Sequence, residues 1–253
     1  DLCRLGRRRV SVLGYESCGV TGLAPDRGRP LFFRDVNLEA AVRVAIGKAE
    51  GAIFAEDVGE LRDLEAVALG IVDLDGIGQL TSLRTLDLRS NGLRDVAALV
   101  EVTGLQVLLL GDNAVSDLSP LTNLVELEVT KVQRNRIRDL APLVANDGIR
   151  EGDLVDVCGN PLNSSDTDPQ LDQLRARLVV VDTTLGFVDP ALESSVRETI
   201  RRPDGAICVE DVEPVRSLNL NFTDAERLDG IEALVNLEEL HAVGNHISDL
   251  APL

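Results

Sequence analysis

Apolar residues recur every 22 positions through the middle of this chain. Leu86, Leu88, Leu93, Val96, Leu99, Val102 and Leu105 are answered one period later by Leu108, Leu110, Val115, Leu118, Leu121, Leu124 and Leu127, and Asn91, Asn113 and Asn135 keep the same step. A third turn stays in register with Thr130 in a leucine slot, and Leu64, Ile71, Leu74, Ile77, Leu80 and Leu83 form a degenerate turn ahead of the first. One such turn cannot bury its own leucines. Successive turns must therefore stack and share a continuous core, with stability spread over neighbouring contacts.

The spacing is that of the leucine-rich repeat, L-x-x-L-x-L-x-x-N-x-L, in which each turn is a short strand followed by an irregular or 3₁₀ segment. The expected fold is an α/β solenoid, right-handed, with a parallel concave sheet whose strands centre on residues 86–88, 108–110 and 130–132. The asparagine has a separate job. Where the chain bends out of the strand, its amide can satisfy buried backbone groups, so Asn91, Asn113, Asn135, Asn160 and Asn245 are expected to form a ladder. Asp95, Asp117, Asp139 and Asp249 recur in the outer segment, where a carboxylate can cap a short helical turn.

A longer period lies behind the first. Residues 38–99 align without a gap with 192–253 at an offset of 154: Leu38, Glu39, Val42, Arg43 and Ile46 match Leu192, Glu193, Val196, Arg197 and Ile200, and Glu56-Asp57-Val58 matches Glu210-Asp211-Val212. The chain thus carries the start of one module twice. Leu38, Val42 and Ile46 have helical spacing, and Asp189-Pro190 supplies an N-cap and a first-turn proline, so each copy opens with a helical cap covering leucines that a terminal turn would expose. The organisation read from this is an irregular tail at 1–30, cap 1 at 31–62, array 1 with its closing segment at 63–182, cap 2 at 183–217, and a truncated array 2 at 218–253. With no methionine and with Leu253 inside a repeat, the sequence is expected to be a piece of a longer chain.

Charge and composition narrow the function. The formal charge is −18, which should repel phosphate backbones and anionic lipid surfaces, so no nucleic-acid partner is expected. No stretch approaches the length of a membrane span, and Arg7-Arg8-Arg9 is followed by too short an apolar run for an export signal. Catalytic patterns, cofactor motifs and metal-ligand spacings are missing. His241 and His246 lack a patterned third ligand. Cys208 replaces Phe54 of the other copy and reads as a core side chain, while Cys3 and Cys18 could pair with each other or remain thiols.

The Asn-x-Ile/Leu-x-Asp-Ile/Leu-x-Pro-Leu turns, the Asp-Gly-Ile at 75–77 and 229–231, and the helical cap resemble the bacterial internalin-like leucine-rich repeat proteins with 22-residue turns. The resemblance covers roughly residues 33–253. It implies a surface or secreted bacterial protein of the extracellular space; similar repeats also occur in intracellular regulators.

Strand alternation leaves the concave face as the surface to interpret. Its outward columns are Asp63, Glu65, Val67; Thr85, Asp87, Arg89; Val107, Leu109, Gly111; Val129, Lys131, Gln133; and Leu154, Asp156, Cys158. Leu109 beside Val107, ringed by Arg89, Lys131 and Gln133, has the look of a protein-binding hot spot. The expected function is non-catalytic recognition of a protein, or of a glycan, through this face. The alternatives are the targeting region of a larger enzyme and an intracellular scaffold.

Overall fold

The computed structural model describes residues 28–162 and 164–253; Cys3, Cys18 and the basic run of the tail lie outside them. Helices α1 (Val36–Ala45) and α2 (Ala55–Val58) precede six strands: β1 (Asp63–Glu65), β2 (Thr85–Asp87), β3 (Val107–Leu109), β4 (Val129–Lys131), β5 (Leu154–Asp156) and β6 (Val180–Asp182). All pair in parallel, in sequence order. The returns between them are 3₁₀ turns at Ile77–Gln79, Ala97–Glu101 and Ser119–Leu121, then helices α3 (Ala141–Val144) and α4 (Ser164–Ala176). A second unit repeats the plan with α5 (Pro190–Thr199), α6 (Val209–Val212) and the parallel pair β7 (Ser217–Asn219) and β8 (Glu239–His241).

The strands begin and end one residue before the expected centres. The ladder itself continues, since Leu88 N–H donates to Leu109 O at 2.8 Å; the shift lies in where the strand is judged to stop. Leu86, Leu88, Leu108 and Leu110 are fully buried, and Thr130 sits buried in its leucine slot. The packed residues form two cores, one from Phe33 to Val179 and one from Leu192 to Leu234.

The asparagines make the ladder. Asn113 Oδ1 accepts from Leu93 N–H, and its amide donates to Leu88 O and Leu110 O at 2.9 and 3.0 Å. Asn91, Asn135, Asn160 and Asn245 repeat the arrangement on their own turns. Each therefore ties one turn to the next. Asn113→Ala is expected to cost about 1–3 kcal/mol, the usual penalty for stranding buried polar groups, whereas Glu126→Ala on the exposed surface should stay within about 0.5 kcal/mol. Equal urea midpoints for the two variants would mean that the ladder contributes nothing. The recurrent aspartates cap as expected: Asp95, Asp117, Asp139 and Asp249 each accept the backbone N–H two residues on.

The duplication is visible atom by atom in the caps. One oxygen of Asp35 accepts from Asn37 and Leu38, capping α1, while the other accepts from Val72 and Asp73 on the first turn. Asp189 does the same with Ala191, Leu192, Glu226 and Arg227. Burial pushes these carboxyls up, but their amide donors outweigh it and hold both below the ordinary value. The Asp-Gly-Ile glycines are needed here. Gly76 and Gly230 sit at φ 104° and 102°, where a Cβ would run into the carbonyls of Phe32 and Gly186.

Array 1 closes through a three-residue insertion. Asn146, fully buried, donates to Leu121 O and Leu124 O, filling the space a longer turn opens. Leu171 and Leu174 of α4 cover the last turn, and Arg177 donates to the carbonyls of Val144 and Asn146.

Candidate functional site

The concave face of array 1 is built by in-register pairing, which lines up equivalent residues of the six strands in rows. The first row runs Asp63, Thr85, Val107, Val129, Leu154, Val180, and the second runs Glu65, Asp87, Leu109, Lys131, Asp156, Asp182. Val107, Val129 and Leu154 are half-buried and Val180 is 51% exposed, so an aliphatic band crosses four adjacent strands. Leu109, also half-buried, widens it at β3. Sequence reading singled out Leu109 and Val107. The band extends further than that, through Val129 and Leu154 of the same outward column to Val180 on the closing strand, which lies outside the 22-residue period.

The other expected residues are placed less freely. Arg89 forks onto its own strand neighbour, with Nε 2.9 Å from Asp87 Oδ1 and Nη2 2.6 Å from Oδ2. Its charge is thus largely answered within the chain. Lys131 stands half-buried between Leu109 and Asp156 in the second row. Gln133 is not on the open face: it is 1% exposed, lies over Gly111, and donates Nε2 to Glu210 Oε2 at 3.0 Å. Gly111 leaves the room for this placement of Gln133. A Cβ there would come within 2.5 Å of the Gln133 amide.

What covers Gln133 is the second cap. Arg134 reaches from the end of β4 to Glu210 Oε1 and Asp211 Oδ2, both at 2.6 Å, with Asp112 at 3.6 Å. Beside it Cys158 is bonded to Cys208. The reading of Cys208 as a plain core side chain is therefore corrected: it is buried, but as half of a bridge to the third row of the sheet. A signal was present in the sequence. Cys208 stands where the other copy has Phe54, and Cys158 falls in an outward column, so each thiol sat where its class was unexpected.

Crowding of carboxylates marks the β5–β6 end. Burial pushes Asp156 up to about 6; the N–H of Cys158 and the charge of Lys131 oppose this, while Asp182 and Glu210 add to it. Asp182 is raised by burial too, again against Lys131. A folded-state value above the unfolded one, about 3.9, means that the stabilisation from protonated Asp156 is present below pH 4 and lost as pH rises through 6. Stability should thus gain about 2–3 kcal/mol from this group between pH 7 and 4. Urea melts of Asp156→Asn should lack that increment, and a parallel pH profile for variant and parent would refute it.

Outside this face, open hollows occur on the two caps, around Ile46 and Arg62 and around Arg197 and Pro203. Among the described residues no group of histidine, cysteine and acidic side chains could hold a metal. No described helix is long and apolar enough to cross a membrane.

No family model matches the chain, and no curated protein matches it. Among solved structures it is similar to an internalin, InlF, from Listeria monocytogenes str. 4b F2365, with TM-score 0.51 and 23% identity over 87% of this chain and 59% of that one. Internalin C2 of the same strain gives TM-score 0.44 at 22% identity, covering 87% and 89%, and the functional domain of InlJ from Listeria monocytogenes gives 0.43 at 18%, covering 87% and 58%. The chain spans little more than half the length of the InlF chain. Six parallel strands in sequence order, an asparagine on each full turn and this likeness agree: the chain has an internalin-like leucine-rich-repeat solenoid fold.

Proposed function

We propose that this chain is a non-catalytic recognition module that binds a protein through the concave face of array 1, on the surface of a bacterium or secreted by one. The observation that carries this reading is the aliphatic band of Val107, Val129, Leu154 and Val180 with Leu109. The solenoid core is filled by the inward leucines, so an outward band continuous across four strands is more apolar surface than the stack needs. A protein partner is favoured over a glycan because sugars are commonly held by stacked aromatic rings, and these rows contain none. The extracellular placement is supported by the Cys158–Cys208 bridge, since disulfides persist in oxidising compartments and are rare in cytosol.

Binding to a purified partner tests the reading. Leu109→Ala and Val129→Ala should each weaken affinity by more than about 1 kcal/mol, as hot-spot truncations do, with little loss of stability. Lys131→Glu should act mainly on association rate and its salt dependence. Arg89→Glu is a poorer probe than the sequence suggests, because it sets a carboxylate against Asp87. Unchanged affinity for the two aliphatic variants would move the site off this face.

A further inference from the structure

The aliphatic band is flanked by charge at both sides of the sheet, and the sign is the same. At β1 the outward residues are Asp63 and Glu65, both exposed; at β5 and β6 the second row supplies Asp156 and Asp182, paired across the two strands and lying beside Leu154 and Val180 of the first row. Asp87 is taken up by Arg89. What remains in the two rows is the carboxylates of Asp63, Glu65, Asp156 and Asp182 against the ammonium of Lys131. Lys131 sits beside the aliphatic residues rather than beyond them. The face therefore presents an aliphatic band with carboxylates beyond it at β1 and alongside it at β5 and β6.

From this arrangement, and resting on the reading of the concave face as the binding surface, we infer that its partner is a basic protein segment lying across the strands, with aliphatic side chains over Val107, Val129 and Leu154 and arginine or lysine side chains at both ends. Five strand-to-strand steps of about 4.8 Å separate β1 from β6, roughly 24 Å in all. An extended segment of about seven or eight residues covers that distance. Asp182 is the reachable carboxylate at the far end, being half-buried where Asp156 is 2% exposed. Asp156 lies behind it and adds to the negative potential. Burial raises both carboxyls, and Lys131 opposes the rise; Arg89 being engaged by Asp87, Lys131 is the cation of these two strand rows left to face the pair. An arriving guanidinium would supply a second cation, and protonation of the pair would remove its reason to bind.

The test uses the disulfide-bonded chain and three fluorescent nine-residue peptides: one with arginines at both ends and leucines in the centre, one with glutamates replacing the arginines, and one with serines replacing the leucines. Fluorescence anisotropy should show the first binding at least tenfold more tightly than either other. Asp63→Asn, Glu65→Gln and Asp182→Asn combined should lose at least fivefold, and Asp156→Asn alone should reduce the weakening expected as pH falls through about 6. A charge-matched control, Glu126→Gln, Glu151→Gln and Glu198→Gln, should lose less than twofold. Equal losses in the two triple variants would mean attraction to the net charge of −18 and would overturn the inference. So would binding of the glutamate-ended peptide with similar affinity, or no binding by any peptide. If leucine-centred peptides of either charge still lose affinity with Leu109→Ala, the concave reading stands while the basic partner falls; insensitivity to both Leu109 and the carboxylates sinks both.

Discussion

Replacing Cys158 and Cys208 together with alanine is expected to lower stability by about 4 kcal/mol. The bridge joins residues 50 apart in sequence, and closing a loop of that length removes chain entropy worth about 4 kcal/mol from the unfolded state. The loss should not fall evenly. Array 1 keeps its long core of stacked leucines, whereas the second unit has the smaller core, from Leu192 to Leu234, and relies on the joint for part of its support. Arg134 with Glu210 and Asp211 is the rest of that joint, and breaking a mostly buried ion pair on one side leaves the other charge stranded. Calorimetry should therefore show a single transition in the parent resolving into two in the variant, the lower belonging to residues after about 185. Adding Arg134→Ala should lower that first transition further and leave the second nearly in place. One unshifted transition in the cysteine variant would mean that the units are held together by other contacts.

The repeating parts of this structure were legible because periodicity is a local property. Leu86, Leu108 and Asn113 announce themselves through residues 22 positions away, and Asp35 and Asp189 through one offset of 154. The joint was not legible for the opposite reason. Arg134 meets partners 76 and 77 residues later, and the distance in sequence carries no pattern that could be recognised in advance. Strand alternation placed Gln133 and Cys158 outward correctly, but outward is not the same as exposed once another element lies over the sheet. A weaker trace does exist at Arg134. It occupies the left-handed position, φ 51°, held by Ser90 and Asp112 in the preceding turns, and a long arginine there is the exception in its column. The aliphatic band was legible in part: Leu171, Leu174 and Leu178 followed by Val179-Val180-Val181 read as a helix and a closing strand, which is β6, but no repeat spacing sets its register and so none places Val180 beside Leu154.

Leu108→Ala should cost about 2–5 kcal/mol, the range for a large-to-small change in a packed core, and the upper half of that range is expected. Leu108 is fully buried and paired in register with Leu86 on one side and Thr130 on the other. Where a leucine column is continuous, neighbours can lean into a void; Thr130, smaller and stiff at χ1, cannot reach across. The cavity should therefore persist, and cavity volume is what raises the cost of such a change. Because turns support one another only through adjacent contacts, the damage should centre on β2 to β4. Hydrogen exchange should show lost protection at Leu88 and Leu110 N–H while the amides of α1 and of β7 keep theirs. Leu109→Ala, next in sequence but facing out, should cost under about 1 kcal/mol, because truncation there leaves no enclosed void. Similar urea midpoints for Leu108→Ala and Leu109→Ala would mean that the two side chains share one environment, and the inward and outward faces of β3 could then no longer be assigned from its alternation.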